Sequence, residues 1–105
     1  MLYDWRLREC DYGQLNGMPA AELHAHRRDH LDLPYPGGES WRQAVARVAR
    51  FLGDLPPRWD RQRVLVIGHV ATRWALDHVT GGVPLEDLVA ADFGWQPGWE
   101  YRLVV

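Results

Sequence analysis

The sequence predicts an α/β layered fold, in which helices cover a sheet. Residues 41–55 carry apolar side chains at steps of four and three, which is typical of a helix with one buried face. Residues 64–67 are continuously apolar and rich in β-branched side chains, which favours a strand buried on both faces. Residues 99–105 alternate between apolar and polar, which favours a second strand. A doubly buried strand needs neighbours on both edges, so with about one other strand in the chain the sheet is expected to be incomplete.

Length and composition predict one small domain. The chain has 105 residues, a net charge of -2 and a pI near 6.2, and its twelve basic residues are all arginine. The absence of a basic excess predicts no nucleic-acid partner and no membrane partner, and no apolar run approaches the ~20 residues of a membrane span. The single cysteine, Cys10, excludes an internal disulfide and fits a cytoplasmic location. We expect its thiol to be packed in a turn rather than reactive, because no reactive-cysteine signature surrounds it.

Three elements are predicted in the first 60 residues. Residues 19–31 are expected to form a helix, since Pro19 suits a first helical position. Residues 33–38 hold two prolines and two glycines and are expected to form a loop. A long helix then opens at Glu39 or Ser40, and Pro56-Pro57 is expected to end it. Three arginines of this helix lie off its apolar stripe and are expected to be solvated: Arg42, Arg47 and Arg50.

The remaining elements follow in the order strand, turn, helix, short helix, loop and strand. A helix over residues 71–79 is expected to be capped by Gly81-Gly82. Residues 84–90 favour a short helix, and residues 93–98 favour an aromatic loop. The aromatic side chains of Phe93, Trp95 and Trp99 are expected to pack in the core, with a lid or a substrate wall as the alternative.

Gly68-His69 is the strongest local indication of a functional site. It follows a predicted strand and precedes a helix, and in open α/β sheets ligands bind beyond the carboxyl ends of the strands. The N–H groups of the following helix suit an anion such as phosphate, to which His69 can donate a hydrogen bond. A structural turn histidine is the alternative.

Three segments in register resemble the histidine-phosphatase superfamily, whose fold is phosphoglycerate-mutase-like. They are residues 7–18 (LRECDYGQLNGM), Pro36-Gly37-Gly38-Glu39-Ser40 and Gly68-His69. The resemblance covers nearly the whole chain and implies a three-layer α/β sandwich, here with an incomplete sheet because the N-terminal strand is missing. It also implies metal-independent phosphoryl transfer without a cofactor, by way of a phosphohistidine, on a phosphorylated small-molecule substrate.

The same resemblance implies roles for individual residues. Glu9 matches the glutamate that protonates the leaving oxygen, and His69 matches the second histidine, which stabilises the phosphoryl oxygens. Gly68, Glu39 and Ser40 are expected to bind substrate. For Ser40, a helix cap is an equally good interpretation, because its hydroxyl can satisfy free N–H groups.

One departure from the family pattern changes the expected activity. The family nucleophile lies in an Arg-His-Gly segment, and no Arg-His dipeptide occurs anywhere in this sequence. The chain is expected to be a phosphatase or phosphomutase domain that is inactive in isolation. The missing segment has three possible explanations: a fragment of a longer protein, a misassigned start or a truncated natural homologue. A pseudo-phosphatase that binds an anion or a protein is the alternative. An unpaired strand edge at residues 64–67 is expected to promote homo-oligomers.

A third hypothesis concerns the histidines of the first predicted helix. His26 and His30 lie four residues apart, so they share a helix face and are able to hold a metal together, with His24 nearby. No further ligand is evident, and a solvated polar face is favoured. The sequence therefore predicts no metal site.

Overall fold

The computed structural model describes residues 2–91, 94 and 96–103, which form a helical structure. Two longer helices pack against each other, and two short ones flank them. We number the α-helices α1 (Ala20–Ala25), α2 (Trp41–Trp59), α3 (Val70–Gly81) and α4 (Leu85–Ala90). Single turns of 3-10 helix lie at Trp5–Leu7, Gly13–Leu15 and Arg27–His30.

Helix α2 confirms the predicted apolar stripe. Its first turn is closed by Ser40, whose hydroxyl accepts a hydrogen bond from the Gln43 amide at 3.1 Å while the Gln43 side chain accepts one from the Ser40 amide at 2.9 Å. This reciprocal pair satisfies two of the free N–H groups of the helix start. The stripe is buried at four positions and half-buried at a fifth: Trp41, Val45, Val48, Leu52 and Leu55.

The predicted end of α2 is wrong, because Pro56 and Pro57 lie inside the helix, which continues to Trp59. Each proline removes an intrahelical hydrogen bond, a loss that normally ends a helix. Here Pro56 is half-buried and Pro57 is exposed, and both line an apolar groove with Leu52 and Val79.

Helix α3 packs across α2 and completes the core. The indoles of Trp41 and Trp74 meet edge to face with ring centroids 4.7 Å apart, which is a favourable geometry for an aromatic pair. Gly82 ends α3 in the left-handed region at φ 66°, so the predicted glycine cap is confirmed, with Gly81 as the last helical residue. The predicted short helix is confirmed as α4, whose Leu85 and Val89 are buried.

The predicted first helix is only partly confirmed. α1 ends at Ala25, and the chain passes through His26 into the 3-10 turn Arg27–His30. Six residues are too few for a helix to be stable alone, so α1 depends on the burial of Leu23. Among the described residues, no helix is long and apolar enough to cross a membrane.

The predicted fold class is wrong: within residues 2–91, 94 and 96–103 there is no strand, and the three-layer phosphoglycerate-mutase-like sandwich is not formed. Residues 64–67 carry no helix or strand, and Leu65 and Ile67 are 86% and 76% exposed. A strand exists only through hydrogen bonds to a neighbour, and the backbone of 64–67 bonds to no other described segment. Residues 99–103 also form no strand, and Val105 lies outside the described residues, as do Phe93 and Trp95.

Candidate functional site

The structure brings two of the three predicted motifs together. The Gln14 amide donates to the Pro36 carbonyl at 2.8 Å, and the Glu39 amide donates to the Asp11 carbonyl at 2.9 Å. A Cβ atom on Gly13 would overlap the Pro36 carbonyl oxygen, and Gly13 also lies in the left-handed region at φ 56°. A Cβ atom on Gly38 would overlap the Asp11 carbonyl oxygen. The two segments therefore approach this closely because both positions are glycine.

Arg47 of α2 holds this pair of segments in place, and the prediction that it is solvated is wrong. The residue is 2% exposed. Its Nη1 donates to the carbonyls of Arg6 at 2.9 Å and Arg8 at 2.8 Å, and its Nη2 donates to the Glu9 carbonyl at 3.2 Å. The same guanidinium reaches both carboxylate oxygens of Glu39, at 2.7 and 3.1 Å. Burial of this charge is tolerated because every bond ends on a carbonyl or a carboxylate.

Glu39, in the motif at residues 36–40, completes the hydrogen bonding around Arg47. Its Oε1 also accepts a hydrogen bond from the Asp11 amide at 3.1 Å. Partial burial alone would raise the pKa of Glu39, but the hydrogen bonds from Arg47 and the Asp11 amide, with the nearby positive charge, outweigh burial and hold that pKa below its ordinary value of 4.5. The carboxylate is thus ionised and fully engaged by protein groups.

The motif at residues 7–18 also contains Glu9, the predicted proton donor. Its side chain is half-buried, and its Oε1 accepts a hydrogen bond from the Cys10 amide at 2.9 Å. Burial, reinforced by the charges of Glu39 and Glu9, raises the pKa of the Cys10 thiol to about 12. The thiol therefore stays protonated at neutral pH, which supports the interpretation of Cys10 as a packed side chain rather than a nucleophile.

Arg27 is a further charged side chain in the core, and the sequence interpretation missed it. Its guanidinium packs against a pair of indoles, with its central carbon 5.5 Å from the ring centroid of Trp41 and 5.3 Å from that of Trp74. The residue is 6% exposed, and its buried Nε has no hydrogen-bond partner among the described residues. The spacing contained a signal, since Arg27 lies four residues from both Leu23 and Leu31, on the face that those buried leucines define.

Arg27 opens into a cleft of about 410 Å³. His24, Arg28 and Val70 also line the cleft, so basic side chains face the first turn of α3. Burial first, and then the positive charge of Arg27, lower the pKa of His24, while the negative charge of Glu9 acts in the opposite direction. The charges of Arg27 and Glu9 therefore both act on His24. A positive cleft at a helix N-terminus suits an anion.

His69 directly precedes Val70 in the chain but is not one of the residues that line the cleft. It is the N-cap of α3, its ring is exposed, and its amide donates to the Thr72 hydroxyl at 3.2 Å. A Cβ atom on Gly68 would overlap that hydroxyl, so glycine is needed for the turn. Among the described residues, neither Gly68 nor His69 makes a hydrogen bond with Glu9, Glu39 or Ser40, so the structure does not join the third motif directly to the other two.

The remaining histidines have local partners. His26 Nδ1 lies 3.3 Å from Asp29 Oδ2, and His30 Nδ1 lies 2.9 Å from the Leu33 carbonyl. The His30 ring stacks on Tyr35, with centroids 4.0 Å apart. Over the described part of the chain, no three histidine, cysteine or acidic side chains are grouped so that they could hold a metal ion.

The comparisons with known proteins agree with the motifs. The model of the histidine phosphatase superfamily (branch 1) matches residues 1–94. Because that match covers most of the chain, the protein belongs to the histidine phosphatase superfamily.

Curated relatives give the same family. The chain is 34% identical to a protein of Methylobacterium sp. (strain 4-46) and 33% identical to one of Chelativorans sp. (strain BNC1), each over 95% of this chain and 53% of that protein. It is 39% identical to a protein of Methylocella silvestris over 60% of this chain and 35% of the other. All three are named 2,3-bisphosphoglycerate-dependent phosphoglycerate mutase. The chain spans about half the length of the relatives that it matches most fully.

Proposed function

We propose that this chain supplies the substrate-binding and proton-donating part of a histidine-phosphatase domain that acts on phosphorylated small molecules. Family membership supports a phosphatase or phosphomutase, and the names of the relatives favour phosphoglycerate-type substrates. The chain spans about half of those relatives, so the activity belongs to the proposal. The predicted cytoplasmic location remains part of the same proposal.

The buried guanidinium of Arg27 is the observation that carries this proposal. An arginine in the core is normally neutralised by a carboxylate, yet Arg27 has no hydrogen bond or ion pair within the described residues. Both indoles lie on the same side of the guanidinium, because their ring centroids are only 4.7 Å apart, and its buried Nε is left without a partner among the described residues. Its N–H donors are therefore available to a ligand. A phosphoryl group fits this requirement, because its oxygens accept the paired hydrogen bonds that a guanidinium offers.

Glu9 and His69 take complementary parts in the proposed chemistry. Glu9, held by the Cys10 amide, donates a proton to the leaving oxygen of the ester. His69, at the start of α3, donates a hydrogen bond to a phosphoryl oxygen, where charge builds up in the transition state. The predicted substrate contacts of Gly68, Glu39 and Ser40 remain predictions. The Glu39 carboxylate and the Ser40 hydroxyl are already bonded within the protein.

The sequence contains no Arg-His dipeptide, so we expect the isolated chain to bind phosphate without hydrolysing an aryl phosphate. This observation also keeps the pseudo-phosphatase as a second candidate function. Binding without turnover fits both functions, and only an experiment that supplies the nucleophile separates them.

Calorimetric titration with inorganic phosphate tests the binding step. We expect weak binding to the wild-type chain, and a loss of about tenfold or more in Arg27→Gln, because charge-assisted hydrogen bonds to an anion are lost. His69→Ala is expected to weaken binding as well. Arg50→Gln is the matched control, since Arg50 is an exposed arginine of α2.

A second variant separates binding from folding. Arg27→Lys keeps the positive charge and is expected to retain part of the affinity, with a thermal unfolding curve that verifies the fold. Equal phosphate affinity in the wild type, Arg27→Gln, His69→Ala and Arg50→Gln would contradict an anion site at this cleft.

A further inference from the structure

The segment that carries Glu9 is held by a side chain that lies far from it in sequence. Arg47 is 38 to 41 residues away, yet one guanidinium bonds to the carbonyls of Arg6, Arg8 and Glu9. Between residues 8 and 12 the structure has no helix and no strand. Contacts from outside the segment therefore determine where this backbone lies.

Both ends of the Glu9 residue are fixed. Its carbonyl accepts the bond from Arg47 Nη2, and its carboxylate accepts the bond from the amide of Cys10. The Cys10 side chain is buried beneath the second motif, with its sulfur 3.9 Å from the Glu39 carbonyl oxygen. A shift of the backbone at Glu9 would therefore move the carboxylate as well.

Glu39 determines the orientation of Arg47. The two carboxylate oxygens accept from Nη2 and Nε, which is the parallel two-point contact that fixes the guanidinium plane. With that plane fixed, Nη1 faces the carbonyls of Arg6 and Arg8. A lysine keeps the charge but cannot reproduce this planar set of five hydrogen bonds.

We infer that Arg47 is a positioning residue, which sets the place of the Glu9 carboxylate through the backbone of residues 6–9, and that Glu39 orients Arg47 for this task. The inference rests on the proposed role of Glu9 as proton donor. It gives Glu39 a function in the interior of the site that does not require a contact with substrate. An error of about 1 Å in the position of a proton donor costs roughly a hundredfold in rate, so such a support matters to catalysis.

The amide of Cys10 reports directly on the Glu9 carboxylate, because the two are hydrogen-bonded at 2.9 Å. The test uses the full chain, labelled with ¹⁵N, and measures the Cys10 amide resonance and its hydrogen-exchange rate. Glu9→Gln defines the change that follows when the carboxylate is altered. Arg47→Lys and Glu39→Gln are the test variants, and Arg50→Lys on the same helix is the control.

We expect Arg47→Lys to move the Cys10 amide resonance in the direction of Glu9→Gln and to speed its exchange about tenfold or more, since several hydrogen bonds are lost. Glu39→Gln should produce a smaller change of the same kind, and Arg50→Lys none. If Arg47→Lys does not fold, Glu39→Gln decides the question. A lower unfolding temperature with an unchanged Cys10 resonance and exchange rate would show a purely structural role and overturn the inference. None of these readouts depends on phosphate, so a failure of the proposed function would appear separately, in the titration.

Discussion

Two segments of this chain have a burial opposite to the one that their composition suggests. Residues 6–11 are mainly polar and charged, yet the structure holds them through a buried guanidinium and buries Cys10 among them. Residues 64–67 are wholly apolar, yet Leu65 and Ile67 are mostly exposed. The charged partner of the first segment, Arg47, is more deeply buried than any side chain of the second.

The difference shows that burial depends on available partners as well as on hydropathy. Arg47 is buried because three carbonyls and a carboxylate meet its donors, which repays the loss of hydration. The apolar segment is exposed because the described residues offer its backbone no hydrogen-bonding neighbour. The comparison leads to four expectations, in order of decreasing effect.

Loss of the buried guanidinium is expected to have the largest effect on stability. Arg47→Met would leave the Glu39 carboxylate and three carbonyls without their partner, and breaking a buried ion pair in this way costs about 3–5 kcal/mol. Urea unfolding followed by circular dichroism measures it. An unfolding free energy within about 0.5 kcal/mol of the wild type, the range of ordinary surface substitutions, would contradict the description of the first segment.

The close approach of the two motifs is expected to be the next most sensitive feature. In Gly38→Ala the new Cβ would overlap the Asp11 carbonyl, and overpacking of this kind costs about 1–3 kcal/mol. Gly53→Ala is the matched control, because the added Cβ meets nothing within 4 Å beyond the adjoining backbone of its own helix, and alanine favours a helix. The control is expected to be as stable as the wild type or more stable, and equal losses in both variants would contradict the packing argument.

The stability of the fold is expected to depend on pH through Glu39. Its pKa is lowered in the folded chain from the ordinary value of 4.5, so the carboxylate stabilises the fold above that pH and the contribution disappears as pH falls through the lower folded pKa. Glu39→Gln should therefore flatten the acid side of the stability curve. The exposed Glu100→Gln is the control. An unchanged acid slope in Glu39→Gln would refute the pairing with Arg47.

The apolar segment is expected to contribute least to folding. Leu65→Gln should change the unfolding free energy by less than about 0.5 kcal/mol, because the leucine side chain is already in water. The same change should reduce self-association, since an extended apolar segment with a free backbone edge promotes pairing between chains. Light scattering over a concentration series measures this, with the exposed Leu33→Gln as the control. A monomeric wild type at all concentrations would remove the basis for this expectation.

The sequence predicted the helices well where periodicity and capping residues agreed. The stripe of α2, its start at Ser40 and the glycine that ends α3 follow from local pattern alone. The end of α2 was missed because the helix continues through prolines 56 and 57, which local rules treat as a stop. The prediction of a sheet was wrong, because an apolar run indicates burial but does not provide the neighbouring strand that its backbone needs for hydrogen bonds.

The candidate site was predicted in part. The motifs at residues 7–18 and 36–40 do meet, and the family resemblance is confirmed by the match to the family model. Arg27 and Arg47 were missed because arginine is ordinarily exposed, and their burial depends on partners that lie 8 to 47 residues away. The roles of Glu9 and His69 remain predictions.

One experiment tests the central claim most directly, namely that this chain carries the substrate side of a histidine-phosphatase site. A segment bearing Arg-His-Gly from a compact family member is fused ahead of Asp4, and hydrolysis of an aryl phosphate is measured without added metal. We expect turnover that falls by about 10²–10⁴ in Glu9→Gln, the usual effect of losing a general acid. His69→Ala is expected to cost about as much, through the loss of a transition-state donor. A soluble and folded fusion that remains inactive would contradict the claim and favour the pseudo-phosphatase.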